Sequence, residues 1–162
     1  PGILSMMTLR RAALLVASLS VTAPLAAQQA PDRDAILAVT KRLFDGMRAG
    51  DSAMVRSVFH PKVFMASAFV RQGTPTINVD GGVDGFVKAV GTPHAEVWDE
   101  RVANEVVHQD GTLATVWMDY TFYLGTKLSH CGVDAFLIAK EGADWKIISL
   151  ADTRRREGCP EL

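Results

Sequence analysis

The chain has 162 residues, about the length of one domain, and 48% of them are hydrophobic, enough to build a single core with some surface left over. Seventeen lysines and arginines against 18 aspartates and glutamates leave a net charge of −1, which supplies neither a stripe for nucleic acid nor a trap for an acidic partner. The 4 histidines are scattered and no HxxxH or CxxC pair occurs, so neither a metal nor a cofactor is expected.

The first residues are a different kind of sequence. Arg10 and Arg11 precede an apolar stretch from Ala12 to Ala23, and "PLAAQQA" follows, the three-part layout of a secretory signal peptide. The apolar run is shorter than the roughly 20 residues a membrane span requires. Residues 1–27 are therefore read as upstream residues plus signal peptide, with cleavage after Ala27, and the residues ahead of Met6 or Met7 as upstream translation. Residues 28–162 are read as one exported domain, periplasmic or secreted, without a membrane span.

From Pro31 onward Ile36, Leu37, Val39, Leu43, Phe44 and Met47 recur at helical spacing. Asp32 and Asp34 sit near the positive N-terminal end and Gly50 closes the segment. A second, short helix capped by Asp51 or Ser52 carries Met54, Val55, Val58 and Phe59 and stops at Pro61. Lys62 to Arg71 and Thr76 to Asp80 read as strands joined by "QGTP". "GGVDGFVKAVG" puts Val83, Phe86, Val87 and Val90 on one helical face, and its glycines fit no nucleotide-binding fingerprint. Ala95 to Gln109 and Thr112 to Tyr123 flank Asp110 and Gly111, a strong hairpin signal. A reversal near Leu124 to Lys127 leads to His130–Lys140, and "EGAD" turns that strand into Trp145 to Thr153. The result is an α+β layout, helices on one face of a curved, mainly antiparallel sheet.

This order of elements resembles the nuclear transport factor 2-like superfamily of cone-shaped α+β domains. Within it, "HCGVDAFLIAKEGADWKIISLADTRRREGCP" resembles the C-terminal part of exported bacterial members, the SnoaL-like polyketide cyclases and "putative lumazine-binding" proteins. The resemblance covers nearly all of the mature chain. It implies the fold but not one function, because the superfamily holds isomerases, dehydratases, cyclases and binding domains. Enzymes of the superfamily place acids, His, Tyr or Arg on these strands and on the first helix. Here that helix offers only Thr40 and Arg48, which argues against an isomerase-type mechanism relying on it.

Strict alternation along the strands assigns the faces. It groups Trp98, Val102, Asn104 and Val106 with Thr115, Trp117, Asp119 and Tyr123, and groups Asp134, Phe136 and Ile138 with Trp145, Ile147, Ser149 and Ala151. With a two-residue turn at Leu124 and Gly125, Asp119 faces His130 and the two groups share one face. A one-residue slip would separate them. The joined face, mixed in polarity, is taken as the pocket wall, with Trp98, Asn104, Trp117, Asp119, Tyr123, Asp134 and Phe136 as ligand-binding candidates. The more uniformly apolar opposite face, with Tyr120, is assigned to the helices or to a second subunit in a homodimer.

Asp119, His130 and Asp134 are the catalytic candidates. Asp119 beside His130 would orient an imidazole for proton transfer, or both would simply be solvated at a hairpin end. Asp134, between Val133 and Ala135, needs protonation or a partner such as Arg101, Arg154 or a backbone amide. Arg154 to Arg156 read as a solvated strand end rather than a phosphate site. Cys131 and Cys159, in a chain expected in an oxidising compartment, are assigned to a disulfide closing a loop of about 29 residues, worth about 3.5 kcal/mol.

Three functions stay open. One is an exported binding domain for a small hydrophobic or aromatic molecule, and another is a pocket enzyme of isomerase, dehydratase or cyclase type. The third is a homodimeric interaction module without ligand. An enclosed cavity with convergent polar groups separates the first two from the third. A carboxylate and an imidazole within hydrogen-bonding reach inside it would favour the enzyme.

Overall fold

The structure is a computed structural model describing Gly2 and residues 30–162, so the expected signal segment lies outside the described residues. Helix α1 (Arg33–Ala49) buries Ile36, Thr40, Leu43, Phe44 and Met47 along one stripe. It ends at Gly50, whose φ of 65° is a left-handed conformation that suits glycine. Helix α2 (Ser52–Val58) is capped by the Asp51 side chain, which accepts from the Met54 N–H at 2.8 Å. Strands β1 (Phe59–Arg71) and β2 (Thr74–Asp80) form a hairpin, and α3 (Asp84–Gly91) follows. The four long strands are β3 (Trp98–Asp110), β4 (Leu113–Leu124), β5 (Lys127–Glu141) and β6 (Asp144–Arg154). Pro61 lies within β1 and does not end a helix, because α2 already stops at Val58.

One six-stranded sheet results, in the order β2-β1-β6-β5-β4-β3, with only β1 and β6 parallel. The helices pack on its inner face, where Val116, Met118, Tyr120, Phe122, Phe136, Ile138 and Ile147 meet the α1 stripe. This is the expected α+β class. Among the described residues no helix is long and apolar enough to cross a membrane.

The faces differ from strict alternation because three strands are bulged. A bulge adds one residue to a strand and so exchanges the faces beyond it. In β3 the irregularity falls between Ala103 and Val106, where Asn104 has a φ of 57°. It leaves Val106 level with Trp117 on the outer face and turns Trp98, Glu100 and Val102 inward beside Phe122 and Tyr120. In β5 the extra residue is Ser129: Tyr123 pairs with Leu128, but Phe122 pairs with His130. In β6 it is Ile148, since Ile138 pairs with Ile147 and Leu137 with Ser149. The last bulge carries Leu150 and Asp152 inward in place of Ser149 and Ala151.

The C-terminal tail folds back over part of the outer face. Cys131 and Cys159 are bonded, with Cα atoms 5.5 Å apart, as expected. The buried Thr121 hydroxyl donates to the Pro160 carbonyl at 2.9 Å, and the Arg101 guanidinium donates to the Leu162 carbonyl at 3.0 Å.

Candidate functional site

Between the helices and the inner face lies a cavity of about 110 Å³. Its helix side is apolar, with Leu43, Phe44 and Met47 from α1 and Phe86 from α3. Its sheet side is polar, built from Ser67, Glu100, Tyr120, His130, Asp134, Asp152 and Arg154. Phe44 and Glu100 also line an open groove of about 660 Å³ between α1 and β3, so these two side chains separate the cavity from the groove.

One part of the sheet side is a hydrogen-bonded network. Asp152 accepts from the Arg154 Nε–H at 2.6 Å and from the Ser67 hydroxyl. The Tyr120 hydroxyl lies 2.8 Å from the Thr153 carbonyl, to which it donates, and 3.2 Å from Asp152 Oδ2. Tyr120 stands on β4 and its partners on β6, so the ring crosses β5, and it does so beside Gly132, its cross-strand neighbour. A methyl group on Gly132 would sit 1.8 Å from the Thr153 carbonyl oxygen, so only glycine fits this crossing.

The other part is a carboxyl pair. Asp134 is 4% exposed, and its Oδ2 has no hydrogen-bond donor. Its neighbour is Glu100, within hydrogen-bonding reach. Glu100 is half-buried as a residue, but its carboxyl end is enclosed. Burial pushes the Asp134 carboxyl well above the ordinary aspartate range, and the neighbouring Glu100 and Asp152 push it further. Burial also raises Glu100, to about 7, with the hydrogen bond from Asp134 and the charge of Arg154 holding it below where burial alone would take it. Two carboxylates cannot both stay ionised in such a place, so the Asp134–Glu100 pair holds on to a proton well above the ordinary carboxylate range.

His130 lies at the end of the same wall, its ring 5.1 Å from that of Phe122 and 5.7 Å from that of Tyr120. Its Nδ1 is 3.0 Å from the Ser129 hydroxyl. Burial and then the charge of Arg154 hold its pKa below the usual histidine value, so the ring is neutral at neutral pH. Burial, then Asp152, raises the Tyr120 phenol above its ordinary range, so it serves as a donor and not as a base.

Of the residues expected to line the pocket, His130 and Asp134 do so. Phe136 is buried in the core against Phe44, with ring centroids 6.3 Å apart. Trp98 is half-buried and stacks on His94 at 4.7 Å. Asn104, Trp117, Asp119 and Tyr123 are not on the cavity. Asn104 donates to Asp119 at 2.8 Å, Tyr123 lies under the Arg101 guanidinium at 4.4 Å, and Trp117 is 54% exposed. The expected pairing of Asp119 with His130 is thus corrected: the turn falls at Gly125 and Thr126, not at Leu124 and Gly125, which moves the partner by two residues, and the Ser129 bulge adds one more and exchanges the face, so Asp119 faces Val133. The preference for Tyr123 over Tyr120 is reversed for the same reason. Arg154, read as a solvated strand end, is the counter-ion of Asp152.

Alternation without bulges did not single out Glu100, Tyr120, Asp152 or Ser67. The usable signal was Gly132, a side-chainless position two residues from both His130 and Asp134. Among the described residues no cluster of His, Cys, Asp and Glu is arranged to hold a metal ion.

Three helices on one face of a six-stranded sheet, enclosing a cavity with a polar sheet wall, define a domain of the nuclear transport factor 2-like class. Solved structures agree on the fold. A nuclear transport factor 2-like protein with a cystatin-like fold from Novosphingobium aromaticivorans superposes with a TM-score of 0.63 at 12% identity, covering 78% of this chain and 84% of that one. A nuclear transport factor 2-like protein of unknown function from Shewanella baltica gives 0.59 at 17% identity, covering 78% and 95%. A protein of unknown function with a cystatin-like fold from Nostoc punctiforme gives 0.61 at 12% identity, covering 81% and 96%. No curated protein matches the sequence. Residues 31–151 match the family described as "putative lumazine-binding", and the chain belongs to that family.

Proposed function

We propose that the chain is an exported small-molecule-binding domain whose ligand occupies the cavity between α1, α3 and the inner sheet face. The observation that carries this reading is the convergence of Glu100, Tyr120, His130 and Asp134 on one partly open cavity, with a buried carboxyl oxygen left unpaired. A module with no ligand would gain stability by replacing such a group with an apolar one. The apolar helix wall suits the hydrophobic or aromatic body of a ligand, and the groove between α1 and β3 offers it a way in through Phe44 and Glu100. An enzymatic reading is supported less well, since His130 bonds to Ser129 and not to a carboxylate. The test is to recover the mature protein from its native host and identify co-purifying small molecules by mass spectrometry. Repeated recovery with nothing bound, under conditions that retain weak ligands, would count against the reading.

A second reading, compatible with the first, is a homodimer formed through the outer face. What favours it is the uncovered apolar patch of Trp117, Val106, Ala135, Leu137 and Ala151, beyond the reach of the C-terminal tail. If this patch is the interface, Trp117→Glu should convert a dimer to a monomer in sedimentation velocity without changing the circular dichroism. A wild-type monomer at high concentration would rule it out.

A further inference from the structure

We propose that the cavity is a receptor for an organic cation, a protonated amine or amidine on an apolar body, held by the facing carboxyls of Glu100 and Asp134. The inference rests on the ligand-binding reading above and names the chemical class of the ligand.

Several donors of the cavity wall are already engaged elsewhere. The Arg154 Nε–H donates to Asp152, and the Tyr120 hydroxyl donates to the Thr153 carbonyl. The Ser67 hydroxyl also donates to Asp152. What remains for a ligand is an acceptor, the buried Asp134 Oδ2, with the Glu100 carboxyl beside it. A ligand that satisfies both must bring hydrogen-bond donors.

Charge points the same way. Asp80, Glu100, Asp134 and Asp152 line the cavity, and only Arg154 among its lining residues carries a permanent positive charge. Asp152 uses that charge. An anionic ligand would meet carboxyl groups at close range in a space that water screens poorly. With both members ionised the pair would repel itself, a repulsion that a shared proton relieves. An ammonium or amidinium group can take over that role, because it places positive charge and two or more N–H donors between the carboxyls. The remaining walls, Leu43, Phe44, Met47 and Phe86, are apolar. At about 110 Å³ the cavity is close to the size that admits one six-membered ring.

The test is isothermal titration calorimetry of the intact protein at neutral pH with three probes of one shape: benzylamine, benzyl alcohol and benzoate. Benzylamine should bind at least about tenfold more tightly than benzyl alcohol, as expected for a charge-assisted contact, and benzoate should not bind. Glu100→Gln and Asp134→Asn should each weaken benzylamine by about tenfold or more while changing benzyl alcohol by less than about threefold. Should a variant fail to fold, the ranking of the three probes on the wild-type protein still decides the matter. Benzyl alcohol or benzoate binding as tightly as benzylamine would overturn the cation class and leave a ligand cavity standing. Binding of none of the three would also overturn it, and the co-purification experiment then decides the broader reading on its own.

Discussion

Replacing Glu100 by glutamine should make stability respond to pH in a manner opposite to ordinary acid denaturation. In the folded protein Glu100 binds its proton up to about pH 7, against 4.5 in the unfolded chain. Between those values the folded state holds more protons than the unfolded state, so wild-type stability falls as pH rises. A shift of this size corresponds to about 3 kcal/mol of stability, fully present below pH 4.5 and fully lost above 7. Glutamine has the same shape and no charge, so the variant should match the wild type near pH 4.5 and exceed it by up to about 3 kcal/mol above neutrality.

Two other effects fall outside this difference. Asp32, Asp45 and Asp99 have lowered values, so their contribution is present above 3.8 and is lost only as pH falls below that. His130, with a lowered value, makes stability rise with pH up to 6.5, but it does so in both proteins. Urea unfolding at a series of pH values, with the disulfide intact, measures the difference, which should reach roughly 1–2 M in midpoint. A wild-type-to-variant gap that stays flat from pH 4.5 to 8, or that favours the wild type at high pH, would show that the Glu100 carboxyl is hydrated and not paired with Asp134.

Gly132→Ala should destabilise the fold by about 1–3 kcal/mol or more, because the added methyl meets the Thr153 backbone carbonyl at 1.8 Å, the same carbonyl that accepts from Tyr120. Thermal melting measures this, and an unchanged midpoint would refute the crossing. Removing the disulfide with Cys131→Ala and Cys159→Ala together should cost about 3.5 kcal/mol on the loop-entropy account, read by urea unfolding. The protein recovered from its host should show no free thiol under denaturing conditions. N-terminal sequencing of the same material should begin near residue 28, and recovery of chains still carrying Arg10 and Arg11 would end the export proposal.

Much of the molecule was legible from residue order alone. The stripe Ile36, Leu43, Phe44 and Met47, the Asp51 cap and the Asp110–Gly111 signal are local, each complete within a few residues, and each produced its element, although the hairpin turn falls one residue later, at Gly111 and Thr112, with Asp110 pairing with Leu113. The same holds for the Cys131–Cys159 bond, where two cysteines left one intramolecular pairing. Asp134 also stood out, because a carboxyl between Val133 and Ala135 needs an explanation wherever the strand lies. Its neighbours did not. Which side chains meet Asp134 depends on the parity of β3, β4, β5 and β6 relative to one another, and parity is reversed by any single unpaired residue. The irregularity at Asn104 in β3, Ser129 in β5 and Ile148 in β6 each reverse it. Nothing local marks Ser129 or Ile148 as extra, since a bulge is a relation between two strands and not a property of one. The bulges bring Glu100, Asp134 and Asp152 to one face and send Trp117 and Asp119 to the other. The sequence therefore determined the elements, the class of fold and the disulfide. Only the tertiary structure decided the cavity wall, because register between strands is chosen by packing across the whole sheet.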